Sequence, residues 1–108
     1  MNLNEYQQKQ QETAIYPKEI GPLYCALGLC GEAGEVAEKI KKIYRDEGGK
    51  LSMEAFAALK KELGDVLWYI SAMANEIDCS LEGIALENLA KLQSRKERGV
   101  LTGSGDTR

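Results

Sequence analysis

Apolar residues recur at three- and four-residue spacing over most of this chain, and no long run of alternating apolar and polar residues interrupts them. Such spacing places apolar side chains on one side of an α-helix, whereas alternation would indicate a β-strand. The sequence therefore predicts an all-α fold, an antiparallel helical bundle with four main helices. Residues 1–98 would form the single domain, and residues 99–108 form a tail with too many glycines for a helix.

Proline, glycine and capping residues set the predicted helix boundaries. The first helix ends before Pro17, which disfavours helix in the residue that precedes it. Ser52 and Ser80 are suited to cap the third and fourth helices, because a serine hydroxyl accepts from a backbone N–H of the first turn. The predicted helices cover about residues 4–14, 22–45, 52–77 and 80–98.

Three of the predicted helices carry an apolar stripe along one face. On the second helix it comprises Leu23, Ala26, Cys30, Ala33, Ala37, Ile40 and Tyr44. On the third it comprises Phe56, Leu59, Leu63, Val66, Ile70, Met73 and Ile77, and on the fourth Leu81, Ile84, Ala85, Leu89 and Leu92. Helices of this length leave much apolar surface uncovered in so short a chain, so we expect a homo-oligomer, either a dimer or a dimer of dimers.

Composition narrows the class of protein. With 44% hydrophobic and 29% charged residues, the chain is typical of a globular domain and not of a disordered one. Its net charge of −3 argues against nucleic acid or an anionic membrane as a partner, since both attract basic surfaces. No apolar stretch approaches the roughly 20 residues of a membrane span, and three cysteines without paired spacing favour a reducing, cytoplasmic location.

The lack of histidine excludes several kinds of catalytic site. With no histidine in the chain, imidazole base catalysis, Ser-His or Cys-His pairs, and the usual histidine-based zinc or di-iron sites are ruled out within one chain. Chemistry then depends on carboxylates, lysine and arginine. Carboxylates without imidazole favour Mg²⁺ or Mn²⁺ over zinc or iron.

Two short acidic motifs lie about thirty residues apart, Glu32-Ala-Gly-Glu35 and Glu62-Leu-Gly-Asp65. In each motif, two carboxylates three residues apart lie on the same side of a helix. If the two helices pack side by side, four carboxylates converge and repel one another. A hard divalent cation relieves this repulsion, so the motifs predict a Mg²⁺ site for which Mn²⁺ is a possible substitute.

A simpler interpretation of the acidic motifs stays open at this point. Glu-x-x-Glu is common on solvated helix faces, where the acids pair with lysines four residues on, here Glu35 with Lys39 and Glu38 with Lys42. Glycine within the motifs favours the metal, because glycine in a helix costs about 1 kcal/mol relative to alanine and is tolerated where a backbone or ligand approaches closely. Gly34 and Gly64 lie within the motifs, and Gly31 directly precedes the first of them.

Residues 28–39 and 62–69 together resemble the MazG-like family of the all-α nucleoside triphosphate pyrophosphohydrolase superfamily, whose signature is ExxE, a spacer and ExxD. All four acidic positions match, and the resemblance covers nearly the whole chain, including the ending of residues 98–106. It implies an enzyme that hydrolyses nucleoside triphosphates between the α and β phosphates. The products would be a monophosphate and pyrophosphate, and the role would be clearing unwanted or excess (deoxy)nucleotides.

The resemblance also implies roles for individual residues. The four acidic residues of the motifs would hold one or more Mg²⁺ ions, and Glu32 or Glu35 would take a proton from the attacking water. Asn88 and Lys91 occupy positions of the fourth helix where the family places sugar and phosphate contacts.

Further substrate-binding candidates come from residue type and position. Arg95 lies one turn after Lys91 and either contacts a phosphate or interacts with the end of its helix. Trp68 and Tyr69 follow the second acidic motif directly, and Tyr16 precedes a proline at a helix entry. Each ring is a candidate for stacking on a nucleobase, although aromatic residues at helical spacing more often belong to a core.

Two other functions stay open from the sequence. One is the related dUTPase or phosphoribosyl-ATP pyrophosphohydrolase chemistry on similar helices. The other is a non-catalytic helical interaction protein, which would use its apolar stripes for assembly and its acids for solubility.

Overall fold

Four α-helices and no β-strand make up the chain, which confirms the all-α prediction. The computed structural model describes residues 1–108. None of its helices is both long enough and apolar enough to cross a membrane. The helices are α1 (Leu3–Gln10), α2 (Gly21–Glu47), α3 (Met53–Glu76) and α4 (Leu81–Glu97).

Both predicted serine caps are confirmed. The Ser52 hydroxyl accepts a hydrogen bond from the backbone N–H of Ala55 at 3.1 Å, and the Ser80 hydroxyl accepts one from Gly83 at 2.9 Å. α2 ends where Gly48 adopts a left-handed backbone with φ of 61°, a conformation that glycine reaches without strain. Capping and turn residues therefore define the α2–α3 hairpin as the sequence predicts.

α2 and α3 form an antiparallel hairpin that is the centre of the fold. Gly21 at the start of α2 lies against Glu76 at the end of α3, and Gly28 lies against Tyr69. The small core lies near the open end of this hairpin. Its buried members are Tyr16, Cys25 and Ala72, with Ala14, Trp68, Tyr69 and Met73 packed against them.

Side-chain amides attach the N-terminal segment to α3. Gln7 donates to Asn75 at 2.7 Å, and Asn75 donates to the buried Gln10 at 3.0 Å. The predicted first helix is shorter than expected, since α1 gives way to a 3₁₀ turn at Gln11–Thr13 and a second such turn, Lys18–Ile20, leads into α2. This arrangement carries the N-terminal segment along α3 towards Trp68.

The apolar stripe on α2 does not pack against α3 within one chain. Every member of that stripe is exposed, and the side of α2 that meets α3 instead carries the buried Cys25 and Ile43. Because α2 has apolar residues on two opposite faces, the spacing of these residues does not identify the face that packs against α3. We call the second of these faces the outer face of α2, made up of Leu23, Leu27, Cys30, Gly34 and Ala37.

The stripes on the other two helices are covered only in part within one chain. On α3, Leu59, Val66, Ile70 and Met73 are half-buried, whereas Phe56, Leu63 and Ile77 are exposed. On α4, Leu81 is buried and Ala85 half-buried, whereas Ile84, Leu89 and Leu92 are exposed. The stripes therefore contact the rest of the chain only where α3 and α4 adjoin it.

Most of α4 lies away from the core. Between Glu82 and Ser94 every residue except Gly83 and Ala85 is exposed. The radius of gyration is 16.8 Å, whereas a compact chain of this length is expected at about 13 Å. Only ten of the 108 residues are buried, so one copy of the chain covers little of its own apolar surface.

Candidate functional site

Three of the four predicted acids meet between α2 and α3. Carboxylate oxygens of Glu32, Glu62 and Asp65 all lie within 4.8 Å of one another. Glu32 projects from α2 and the other two from α3, so the antiparallel pairing of the hairpin brings the two motifs together. We call these three residues the acidic cluster.

The acidic cluster is electrostatically strained. Partial burial raises the pKa of Glu32, and the charges of Asp65, Glu62 and Glu35 raise it further, as does a hydrogen bond with Glu62. The nearest cation is Lys39, whose Nζ lies 3.8 Å from Glu62 Oε1. One lysine does not balance this much negative charge, so the cluster favours binding of a proton or a cation.

The donor atoms of the cluster suit a hard divalent cation. All of them are carboxylate oxygens, the ligand type that Mg²⁺ and Mn²⁺ prefer. Opposite ligands of Mg²⁺ stand about 4.2 Å apart, twice its ligand distance of about 2.1 Å. Carboxylate oxygens that lie at most 4.8 Å apart are therefore close enough to bind one ion after small side-chain rotations.

Glu35 lies outside the acidic cluster. Its side chain is exposed, and no oxygen of it belongs to the group within 4.8 Å, although its charge still raises the pKa of Glu32. Lys39 pairs with Glu62 on the other helix and not with Glu35, whereas the expected pair of Glu38 with Lys42 is present at 4.0 Å. Glu35 is thus an unpaired carboxylate one helical turn from the cluster.

The glycines in and directly before the motifs do not mark a close approach inside one chain. Nothing lies within 4 Å of the position that a Cβ would take at Gly31, Gly34 or Gly64. A close approach does occur at Gly28, one turn before Glu32, where the ring of Tyr69 lies against the α2 backbone. The sequence indicates close approach by a glycine in this region, but it does not identify which one.

A cleft of about 310 Å³ opens beside the acidic cluster and is lined by Glu32, Asp65, Trp68 and Tyr69. Trp68 and Tyr69 meet edge to face with ring centroids 4.9 Å apart. The indole N–H of Trp68 donates to the Thr13 hydroxyl at 2.8 Å. Two of the three predicted stacking residues therefore adjoin the carboxylates.

The third stacking candidate, Tyr16, is buried in the core. Its ring stacks on Tyr24 with centroids 5.1 Å apart, and its hydroxyl donates to Glu76 at 2.6 Å. Burial raises the pKa of Tyr16 well above its ordinary value, and the hydrogen bond to Glu76 raises it further. In this conformation the ring is not open to a nucleobase.

Two tyrosines near the site were not among the sequence candidates. Tyr24 lies 6.4 Å from Tyr69 between ring centroids. The pKa of Tyr6 in α1 is raised by burial and then by the charge of Asp65. The spacing Tyr24, Gly28, Glu32 is a one-turn repeat that would have placed Tyr24 on the same side of α2 as Glu32.

The α4 candidates lie apart from the acidic cluster. Asn88 and Lys91 are exposed and, with Ile84 and Glu87, line a separate cavity of about 320 Å³. Arg95 is buried by the tail, where its guanidinium donates to the Asp106 carbonyl at 2.8 Å. Contact of Arg95 with a phosphate stays a prediction and requires the tail to move.

Comparison with known proteins assigns the family. The family model of the MazG nucleotide pyrophosphohydrolase domain matches residues 21–100, from the start of α2 to just past the end of α4. The chain belongs to the MazG nucleotide pyrophosphohydrolase family. Gene 37 protein of Mycobacterium phage L5 is 47% identical over 114 aligned positions that span the whole of both chains. No solved structure matches the chain. The acidic cluster lies within the matched MazG domain.

We expect Glu32→Gln to raise the melting temperature of the metal-free protein by a few degrees at pH 7.5. The raised pKa of Glu32 means that the folded state favours the protonated carboxyl. The stability that this group contributes is fully present below its unfolded pKa and is lost as pH rises through its folded pKa. Glutamine removes this loss because it carries no charge at Glu32's position. Thermal unfolding from pH 4 to 8, without and with Mn²⁺, measures the effect.

The matched control is Glu38→Gln, since the pKa of Glu38 is lowered by Lys41 and the carboxylate is favourably paired. That variant should gain no stability at pH 7.5. The wild type should gain stability from Mn²⁺ and Glu32→Gln should gain less. A metal-free Glu32→Gln protein that melts below the wild type at pH 7.5 would contradict the electrostatic strain.

Proposed function

We propose that this MazG domain hydrolyses (deoxy)nucleoside triphosphates to the monophosphate and pyrophosphate with Mg²⁺ and thereby clears unwanted nucleotides. The observation that carries the proposal is the convergence of three carboxylates within 4.8 Å beside an aromatic-lined cleft. Membership of a nucleotide pyrophosphohydrolase family supports the substrate class. The three free cysteines favour a reducing compartment, so we place the reaction in the cytoplasm.

Glu32, Glu62 and Asp65 would hold the metal, with Glu35 as a further ligand or as the base. When bound, Mg²⁺ supplies charge neutralisation at the triphosphate oxygens and lowers the pKa of a coordinated water. A water oxygen bonds to the α phosphorus while the bond from that phosphorus to the bridging oxygen breaks, and pyrophosphate leaves. Glu35 is exposed and unpaired, so it is free to accept the water's proton.

The aromatic cleft gives the nucleoside a place beside the carboxylates. Trp68 and Tyr69 border the same cleft as Glu32 and Asp65, and stacking on a base requires only that a ring face be open. Asn88 and Lys91 lie on α4 and would serve as sugar and phosphate contacts. Because they line a different cavity in one chain, we propose that a second copy supplies them to the site.

Pyrophosphate release from a panel of triphosphates tests the function directly. The panel should contain the canonical dNTPs and NTPs, dUTP and phosphoribosyl-ATP, each with and without Mg²⁺. Release from several dNTPs supports a general nucleotide pyrophosphohydrolase, whereas release from dUTP or phosphoribosyl-ATP alone would select the related enzyme. No metal-dependent release from any of them would contradict the proposal.

A non-catalytic helical interaction protein is the alternative from another class. The large exposed apolar surface favours it, since such a surface suits assembly as well as catalysis. Metal titration separates the two functions, because a scaffold has no reason to bind Mn²⁺ saturably. A binding curve that saturates and is lost in Asp65→Asn would support the enzyme.

We propose that the chain assembles as a dimer or a dimer of dimers through the outer face of α2. A helix that is apolar on both sides is normally covered on both sides. Twenty large hydrophobic side chains are exposed in one copy, among them Leu27 at 65%. Small residues at Cys30, Gly34 and Ala37 would allow a second helix to approach closely.

We expect Leu27→Glu to convert the assembly to monomers, because a charge would be buried at the centre of the outer face. Sedimentation velocity at matched concentrations measures the mass of both proteins. Leu101→Glu in the tail, where the leucine is similarly exposed, is the control and should keep the wild-type mass. A monomeric wild type would contradict assembly through this face.

A further inference from the structure

Tyr69 occupies space that any side chain at position 28 would take. A Cβ built on Gly28 would overlap Tyr69 Cε1 and Cζ and would lie 2.6 Å from Cδ1. Carbon atoms in contact normally stand about 3.5–4.0 Å apart. Even alanine at this position therefore requires the ring of Tyr69 to move. The clash involves the far end of a side chain and no backbone atom, so the ring can move without loss of the fold.

The contact lies directly beside the proposed site. Gly28 is one helical turn before Glu32 on α2, and Tyr69 is one turn after Asp65 on α3. The ring of Tyr69 crosses between the two helices and forms one wall of the cleft that contains both carboxylates. The width of this cleft depends on how closely Tyr69 lies against α2.

The surroundings of the ring restrict where it can go. Trp68 lies 4.9 Å away edge to face, and Tyr24 lies 6.4 Å away on α2. Displacement from the α2 backbone therefore takes place among these rings and the cleft that Tyr69 lines, and a ring displaced towards the cleft would narrow it.

We propose that Gly28 is a positioning residue that sets the size of the nucleoside accepted beside the acidic cluster. Without a side chain at this position, Tyr69 lies against the backbone and the cleft is at its widest. This inference rests on the proposed function, because it assumes that a nucleoside occupies the cleft. It concerns selection between large and small bases, and not the chemistry at the phosphates.

Gly28→Ala and Gly31→Ala form a matched pair for the test. Both replace a glycine within α2, so both gain the same helix propensity, but nothing lies within 4 Å of the new methyl group at Gly31. Trp68 is the only tryptophan in the chain and touches Tyr69. Its emission therefore reports the position of the Tyr69 ring without any turnover.

We expect Gly28→Ala to change Trp68 emission and to raise KM for dATP about tenfold or more, with a smaller rise for dTTP. The value of kcat for dTTP should stay within about threefold of wild type, because the carboxylates do not move. Gly31→Ala should match the wild type in all of these. Tyr69→Ala combined with Gly28→Ala should behave like Tyr69→Ala alone, since the methyl group then has no ring to displace.

Quenching of Trp68 fluorescence by the Mn²⁺ complexes of dATP and dTTP measures nucleotide binding by the same variants. Equal behaviour of Gly28→Ala and Gly31→Ala in emission and in nucleotide selectivity would overturn the inference while leaving the proposed function intact. A Gly28→Ala protein that hydrolyses nucleotides with wild-type selectivity would likewise overturn the inference and leave the proposed function intact. If the wild type neither binds nor hydrolyses nucleotides, the proposed function and this inference fail together.

Discussion

Glu62→Gln is expected to lower the rate of Mg²⁺-dependent pyrophosphate release about a hundredfold or more. The side chain of Glu62 is only 17% exposed, its charge raises the pKa of Glu32, and its Oε1 lies 3.8 Å from Lys39 Nζ. Glutamine keeps its shape but not its charge, so the cluster holds a cation more weakly. Loss of about 3 kcal/mol of charge stabilisation in the transition state corresponds to about two orders of magnitude in rate.

The control for this prediction is Glu38→Gln, a change of the same kind on the neighbouring helix. Glu38 pairs with Lys41 at 2.8 Å and lies outside the acidic cluster, so its loss should change the rate less than about twofold. Helical circular dichroism should be the same in both variants. Full activity in Glu62→Gln would remove the acidic cluster from the mechanism.

Tyr16→Ala is expected to lower the free energy of unfolding by about 3 kcal/mol, as for other buried aromatic residues cut back to alanine. The ring is 8% exposed and joins the N-terminal segment to the hairpin. It stacks on Tyr24 and meets Trp68 edge to face with centroids 6.3 Å apart. The change should lower the melting temperature by more than about 10 °C.

Thermal and urea unfolding measure this loss, with Tyr44→Ala as the matched control. Tyr44 is 70% exposed, so its removal should change the free energy of unfolding by less than about 0.5 kcal/mol. Tyr16→Phe should fall between the two, because it keeps the ring and removes the hydrogen bond to Glu76. Equal melting temperatures for the two alanine variants would show that the core near Cys25 is not the stabilising centre.

Local chemistry explains what could be predicted from the sequence. The serine caps and the glycine at the end of α2 act within a few residues, so their positions define the helix limits closely. The two acidic motifs could be assigned to one site because a short connection makes neighbouring helices antiparallel. Resemblance to the MazG-like family added the reaction, and the family match confirms the family.

The sequence predictions fail where the structure depends on a contact between distant segments of the chain. On α2 the periodicity fits two faces, and only contact with α3 selects the one that carries Cys25 and Ile43. Gly28 differs from Gly31 solely in the ring that lies over it, which belongs to a residue 41 positions away. Sequence spacing contains no information on that long-range contact. The burial of Arg95 under the tail is a similar case.

The double-sided character of α2 has a consequence for how the proposed enzyme would work at different concentrations. If a second copy of the chain covers the outer face of α2 and also supplies Asn88 and Lys91, dilution separates these two residues from the acidic cluster. Association obeys mass action, so turnover per molecule would climb with abundance until pairing is complete and then level off. Assays in dilute and concentrated solution would then report on two different species.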